Sequence, residues 1–341
     1  MNLITTLLPA ALLLHGALAT AAPLRLYFAN SYTDGFFWTR DIINGTLQEL
    51  RHGGIRDPEV RHGNLDAFTY TGPAQMKEQG RRILADIRRW QPDYVICTDD
   101  DALQWVGLHI DHVPVVFNGV NGPKKYIGRK GIRTLEKPGA NITGVYQTTY
   151  YRESLELLRR IYPQARTFAV ISDRTTTSQE QLKELQELQA GMPGLPLRHK
   201  ASPSSKSFAE WQRFIRKWEP RVDAFFYLNA NHVEDSQGKK LNPKMVHRWI
   251  AKNVRKPGAG TWAGIVEGGV LVSAADAAVN QGIATARLIL EIRAGKQPGD
   301  LPVVSPPNGV PVINVQRARD LKVSIPHQVM EIFIDNGRVY H

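Results

Sequence analysis

Residues 93–121 carry two short apolar strand signals, each breaking into a polar cluster, and that punctuation leaves few folds open. Asp93-Tyr-Val-Ile-Cys97 gives way to Thr98, Asp99, Asp100 and Asp101, then to the helix-compatible Ala102-Leu-Gln-Trp-Val106. Val113-Pro-Val-Val-Phe117 repeats the plan and opens into Asn118-Gly-Val-Asn121. In an open, mostly parallel α/β sheet, ligands bind outside the carboxyl ends of the strands, where loops and helix N-termini present free polar groups. Both clusters are therefore expected to face one cleft.

The same alternation runs through the chain. Residues 24–28 read as a strand and 38–50 as a helix capped by Thr39; 73–90 read as an amphipathic helix with Met76, Ile83, Leu84 and Ile87 on one side. Residues 122–139, rich in Gly, Lys and Pro, read as a crossing segment. A second series follows: a strand over 167–171 opening into Ser172-Asp173-Arg174, helices over 176–188 and 207–218, the latter capped by Ser207, and a strand over 223–228 ending in Asn229-Ala-Asn231. A long helix over 274–294 and a strand over 310–314 complete the pattern. Such alternation argues parallel sheets with helices on both faces. Its repetition in a chain of 341 residues predicts an α/β protein of two doubly wound lobes joined by a multi-strand hinge. The expected division is a first lobe of residues 23–122 plus 274–301 and a second of 140–273 plus 302–341, with 123–139 crossing between them.

The first 22 residues contain no Lys, Arg, Asp or Glu, are mostly apolar over 3–19 and end in small residues. Interrupted by Pro9, His15 and Gly16, the run is too short to span a bilayer and reads as a signal peptide, which predicts a periplasmic location. Cys97, the single cysteine, excludes an internal disulfide and reads as a buried core residue. The net charge of +11 is dispersed along the chain without an aromatic-interleaved recognition motif, so no nucleic-acid partner is expected. An enzyme reading finds no Gly-rich phosphate loop, no Ser nucleophile elbow and no metal-spaced Cys/His set, and no cofactor is expected. His109-Ile-Asp-His112 reads as surface histidines.

The candidate binding residues all stand at strand ends. At the first strand these are Ser31 and Tyr32, followed by Phe36 and Trp38, aromatics able to pack in the core or to stack on a ligand. At the third strand they are Thr98, Asp99 and Asp100; either aspartate can cap the helix that follows or meet a ligand ammonium or hydroxyl. Asn118 and Asn121 close the fourth strand. The second series supplies Asp173, Arg174, Thr175, Asn229, Asn231 and Glu267, with Arg174 able to clamp a carboxylate.

Ala140-Asn-Ile-Thr-Gly-Val145 with the following Ser154-Leu-Glu-Leu-Leu158 and Pro163, Glu267-Gly-Gly269, Gly282, Leu301-Pro302, and Ile313-Asn314 with Ala318 and Ile325-Pro326 together resemble the periplasmic substrate-binding proteins of ABC transporters with the class I, two-lobed fold. The resemblance covers nearly the whole chain after residue 22. In the first lobe, Asn30-Ser-Tyr32, Gly35, Trp38-Thr39, Asp41-Ile42, Gly45, Asp99-Asp100, Ala102-Leu103, Pro114-Val-Val-Phe117 and Gly119-Val-Asn121 are similar to a subgroup that also serves as the sensing portion of membrane histidine kinases and diguanylate cyclases. Transporter-associated members usually have Asp-Pro after the fourth strand, where this chain has Gly122-Pro123. The resemblance implies a monomeric receptor that closes on a small molecule and meets a membrane permease or a membrane sensor protein. Repressor-like regulators share the fold, but their DNA-reading headpiece would stand where the signal peptide is read.

Overall fold

The computed structural model describes residues 23–341 apart from 71, 130, 131, 192 and 193; the expected signal peptide lies outside the described residues. The first lobe contains β1 (Arg25–Asn30), α1 (Phe37–His52), β2 (Glu59–Asn64), α2 (Pro73–Trp90), β3 (Tyr94–Thr98), α3 (Asp99–Trp105), β4 (Val115–Val120) and β5 (Ile142–Tyr146). Its sheet runs β2-β1-β3-β4-β5, all parallel. Every residue of β3 and β4 is buried, as expected where helices cover both faces of a sheet. On one face α1 brings Ile43 and Leu50; on the other, α2 and α3 bring Met76, Ile83, Ile87 and Leu103.

The second lobe contains α4 (Tyr151–Ile161), β6 (Thr167–Ile171), α5 (Thr176–Ala190), β7 (Arg198–Ala201), α6 (Phe208–Trp218), β8 (Ala224–Tyr227), α7 (Pro243–Asn253), β9 (Gly258–Gly260), α8 (Ala263–Glu267) and β10 (Val272–Ala275). The chain then returns to the first lobe for α9 (Ala278–Arg293), and ends in the second with β11 (Val310–Asn314), α10 (Val315–Asp320), α11 (His327–Asn336) and β12 (Arg338–Tyr340). The seven strands lie in the order β12-β11-β10-β9-β8-β6-β7, with β10 and β11 antiparallel. The run β7-β6-β8-β9-β10 repeats the winding of the first sheet. Among the described residues no helix is long and apolar enough to cross a membrane.

Three boundaries differ from the sequence reading, one of them at residue 302, since Val303 is buried in the first lobe's core and Val304 pairs with Val145 of β5. Residues 123–139 do not cross between lobes: Tyr126 and Ile132 are buried in the first lobe's core, and the segment leads into β5, which pairs with β4. The second lobe therefore begins after β5, near Thr149, rather than at residue 140. Ala274 and Ala275, assigned by sequence to the first lobe's helix, are the last residues of β10 in the second sheet. Small residues serve helix and buried strand alike, so composition could not separate them. Thr39 lies inside α1 instead of capping it, and Phe36 takes the cap position. Ser207 does cap α6, accepting the Glu210 N–H at 3.4 Å, and Cys97 is buried in the core.

The return of α9 fixes the architecture around α1. Gly45 faces the Val279 main chain and Gly282 faces the Ile42 carbonyl, so a Cβ at either position would strike backbone. Thr46 Oγ1 donates to the Ile42 and Gly282 carbonyls at 2.9 and 3.2 Å. Three chain passages join the lobes, at 147–150, 276–277 and 305–309, and they gather at Tyr150. Its hydroxyl donates to the Pro306 carbonyl at 2.8 Å, and a Cβ on Gly309 would meet both the Ala274 main chain and the Tyr150 ring.

Candidate functional site

In the first sheet the winding reverses between β1 and β3: α1 packs on one face and α3 on the other, so the chain splays apart at the carboxyl ends of these strands. Ser31 stands in that gap. Its hydroxyl donates to the Thr98 carbonyl and accepts the Ala102 N–H, both at 2.8 Å, tying β1 to the start of α3. Asp99 follows at a left-handed φ of 69°, a conformation an aspartate tolerates better than most residues. Its side chain leans over Gly119, whose own φ of 66° and absent Cβ make room; a Cβ there would lie 2.5 Å from Asp99 Oδ1.

Asp99 is 8% exposed. Its Oδ1 accepts the Trp38 indole N–H at 3.1 Å, while Oδ2 has no hydrogen-bond partner. Burial, reinforced by the neighbouring Asp100, Asp101 and Asp276 carboxylates, pushes its pKa well above the usual carboxylate range. Asp100 has a structural task. Its Oδ2 accepts the Asn121 backbone and side-chain N–H groups at 3.2 Å, and its Oδ1 accepts the Tyr126 hydroxyl at 2.9 Å and pairs with Lys125 at 2.7 Å. Asn121 is thereby fixed to α3. Asn118 donates to Thr285 Oγ1 of α9 at 3.2 Å, leaving its Oδ1 without a donor, as is the Thr98 hydroxyl. Tyr32 and Phe36 form an aromatic rim with Phe68 and Phe37, with centroids 4.5 to 5.2 Å apart; Phe37 and Phe68 are 57% and 63% exposed.

In the second lobe Asp173 is fully enclosed and fully used. Its Oδ1 accepts the Thr175 N–H at 3.0 Å and the Thr175 and Ser178 hydroxyls at 2.6 Å; its Oδ2 accepts the His232 N–H at 3.0 Å. Thr175 caps α5. Asn229 bridges two elements, accepting the Trp262 indole N–H at 2.7 Å and donating to Gln181 Oε1 at 3.4 Å. Arg174 is exposed, with Nε on the Ser204 carbonyl at 3.2 Å, and Asn231 is exposed beyond the end of β8. Glu267, at the end of α8, is exposed and pairs with Lys244 at 3.4 Å. None of these last three carries an unpaired buried polar atom.

The line where the lobes meet runs through Trp38 and Trp262, whose rings touch edge to face across the lobes at 5.6 Å and 85°. Behind them lies a polar relay from α9. Gln281 Oε1 accepts the Gly119 N–H at 3.2 Å, and its amide donates to Asp276 at 3.2 and 3.3 Å and to the Tyr146 carbonyl at 3.2 Å. Asp276 is buried at the second chain passage, and burial pushes its pKa up to about 7 against the hydrogen bonds from Gln281 and from the Ala277 and Thr148 N–H groups. Glu184 of α5, pushed up to about 7 by burial, accepts the Thr149 hydroxyl at 2.5 Å. Trp262, Gln281, Asp276 and Glu184 escaped the sequence reading. Trp262 follows a strand of three residues, Gly-Ala-Gly, and Asp276 sits in an alanine run that reads as helix. Trp262 and Asp276 are marked only by their position at the ends of β9 and β10, while Gln281 and Glu184 lie on α9 and α5.

Several polar atoms at these strand ends are buried without partners: Asn30 Oδ1, Thr98 Oγ1, Asp99 Oδ2 and Asn118 Oδ1 in the first lobe, and Ser172 Oγ and Thr261 Oγ1 in the second. Other unpaired buried atoms, such as the Tyr227 hydroxyl and both His247 ring nitrogens, are scattered, whereas these six stand together at strand ends and make them a candidate ligand-binding surface. Among the described residues no group of His, Cys, Asp and Glu has the arrangement to hold a metal ion.

Two α/β lobes, three passages between them and unpaired polar groups on the facing strand ends define a two-lobed binding protein. A model of the ABC transporter substrate binding protein family matches residues 41–333, and the chain belongs to that family. Solved structures with the same fold include an ABC domain from Streptococcus pneumonia in complex with L-Trp, at 20% identity and a TM-score of 0.67, covering 94% of this chain and all of that one. A ligand-free, open substrate-binding protein with adhesive properties from Clostridium difficile matches at 18% identity and a TM-score of 0.71, covering 93% of this chain and 98% of that one. A conserved domain protein from Vibrio cholerae matches at 21% identity and a TM-score of 0.64, covering 93% and 99%. No curated protein sequence matches. These likenesses establish the class I two-lobed fold, and family membership establishes a solute-binding role.

Proposed function

We propose that this chain is an exported receptor that closes its lobes on a small organic solute at the Trp38–Trp262 line and delivers it to an ABC permease. The observation that carries the reading is the set of unpaired buried polar atoms on both sides of that line, with Asp99 Oδ2 foremost. A ligand that satisfies donors and acceptors of both lobes at once favours the closed arrangement over the open one, which is the requirement for ligand-driven closure. The uncharged leader supports export. The first-lobe words shared with the sensor subgroup keep a membrane sensor as the second candidate partner.

Tryptophan fluorescence tests the cleft directly, because Trp38 and Trp262 both report on closure. A solute that binds there should shift emission saturably and shrink the scattering radius of gyration, and Asp99→Ala combined with Asn118→Ala should weaken it at least tenfold. Unchanged affinity in that double variant would remove the site assignment. L-Trp, the ligand of the Streptococcus structure, belongs in the first panel. Stimulation of a co-purified permease's ATPase by the loaded receptor supports delivery; its absence, with binding to a sensor kinase or cyclase ectodomain instead, moves the reading to sensing.

A further inference from the structure

Resting on the reading of the cleft as a solute site, we propose that its ligand is a small organic cation bearing an amine and no carboxylate, held by Asp99 and Asp276 beside the indoles of Trp38 and Trp262. The charges carry the argument. Asp99 and Asp276 are both buried, and neither forms an ion pair with a Lys or Arg among the described residues. Lys125 pairs with Asp100, Lys124 pairs with Glu187, and Arg174 meets the Ser204 carbonyl, so none of them is partnered with Asp99 or Asp276. A buried carboxyl group without a cation is held in its neutral form, and a ligand that brings a positive charge to it allows it to ionise.

The geometry sets both acids around one place. Gly119 lies beneath Asp99 Oδ1, and its N–H is held by Gln281, whose amide is turned onto Asp276. One peptide, that of Gly119, and one side chain, that of Gln281, thus link the two carboxyl groups. Asp99 keeps Oδ2 free of any donor, and Trp38 holds Oδ1, so the carboxylate is oriented and half satisfied. Trp38 and Trp262 stand at right angles, offering indole faces to a cation and its carbon frame. An amino acid would bring a carboxylate of its own into a site already holding Asp99, Asp276 and Glu184, with no arginine to receive it. The corresponding amine avoids that repulsion.

Calorimetry and tryptophan fluorescence on the chain without its leader test this with matched pairs: tryptamine against L-Trp, and cadaverine against L-Lys. At least one amine should bind ten or more times tighter than its amino acid, and Asp99→Asn and Asp276→Asn should each weaken it at least tenfold. Both substitutions keep shape and remove buried charge, so melting temperatures at or above that of the parent chain will show that the variants are folded. Equal or tighter binding of the amino acid, or indifference of a bound amine to both substitutions, overturns the amine assignment. If a neutral or acidic solute binds and Trp38→Ala abolishes it, the cleft reading stands and the cation assignment falls. If neither these probes nor a wider panel of sugars, nucleosides and carboxylates binds, both fall.

Discussion

Trp38 donates its indole N–H to Asp99 Oδ1 at 3.1 Å while its ring meets Trp262 of the opposite lobe, so one side chain joins the buried acid of the first lobe to the second. The contact places an aromatic reporter and a chargeable group on the surface that closes. Its removal separates packing from hydrogen bonding: Trp38→Phe keeps an aromatic ring and deletes the donor. With both oxygens of Asp99 then unpartnered, stability should drop by about 1–3 kcal/mol, read from the urea midpoint at constant m-value.

The pH dependence of stability has a definite sign. Asp276 and Glu184 have pKa values raised by burial to about 7, so between about 4 and 7 the folded chain holds protons that the unfolded chain has lost. Their contribution to stability is complete below about pH 4 and falls as pH rises to about 7, by roughly 4 kcal/mol for Asp276 and roughly 3 kcal/mol for Glu184. Asp276→Asn should flatten its share of that decline in urea titrations between pH 4 and 8. The groups facing Asp276 are Gln281, Glu184, Asp99 and Tyr150, none of them cationic.

Ligand binding should run the opposite way. A cationic amine favours the ionised carboxylates, so its affinity should rise with pH up to about 7, and calorimetry in buffers of different ionisation enthalpy should show proton release near pH 6. A pH-independent affinity with no released proton would contradict ionisation of Asp276 on binding.

The α1–α9 crossing depends on two missing methyl groups. Gly282→Ala should destabilise the chain by about 1–3 kcal/mol, since its Cβ meets the Ile42 carbonyl and the Thr46 amide, which cannot move aside without bending α1. Gly264→Ala in α8, where a Cβ meets nothing within 4 Å, serves as control and should change the urea midpoint little.

Arg174→Ala and Asn231→Ala should leave ligand affinity within about twofold, since both side chains are exposed and neither carries an unpaired buried polar atom. Asp173→Ala should instead destabilise the second lobe by about 2–4 kcal/mol, because four donors lose their acceptor in a buried site. Thermal melts beside binding isotherms distinguish the two outcomes.

The fold was legible in the sequence because period and punctuation agree. Buried parallel strands such as 94–98 and 167–171 are short apolar runs, and each breaks into polar residues where the sheet ends. The first-lobe end of the site was legible for the same reason: Trp38, Asp99 and Asn118 stand where the alternation places them. What sequence could not supply was the side chain's direction. Asp99 and Asp100 are adjacent and chemically identical, yet one faces the line between the lobes and the other is consumed by Asn121, Tyr126 and Lys125. That division follows from the left-handed turn at Asp99. Asp276 and Gln281 were hidden because their setting is made by distant strands.

The three chain passages gathered at Tyr150 also bear on mechanics. A body joined to another by one tether can tumble freely about it, whereas three neighbouring tethers leave chiefly one rotation. In the receptor proposed above, such a joint converts solute capture into a single angle, and that angle is all a membrane partner would have to recognise.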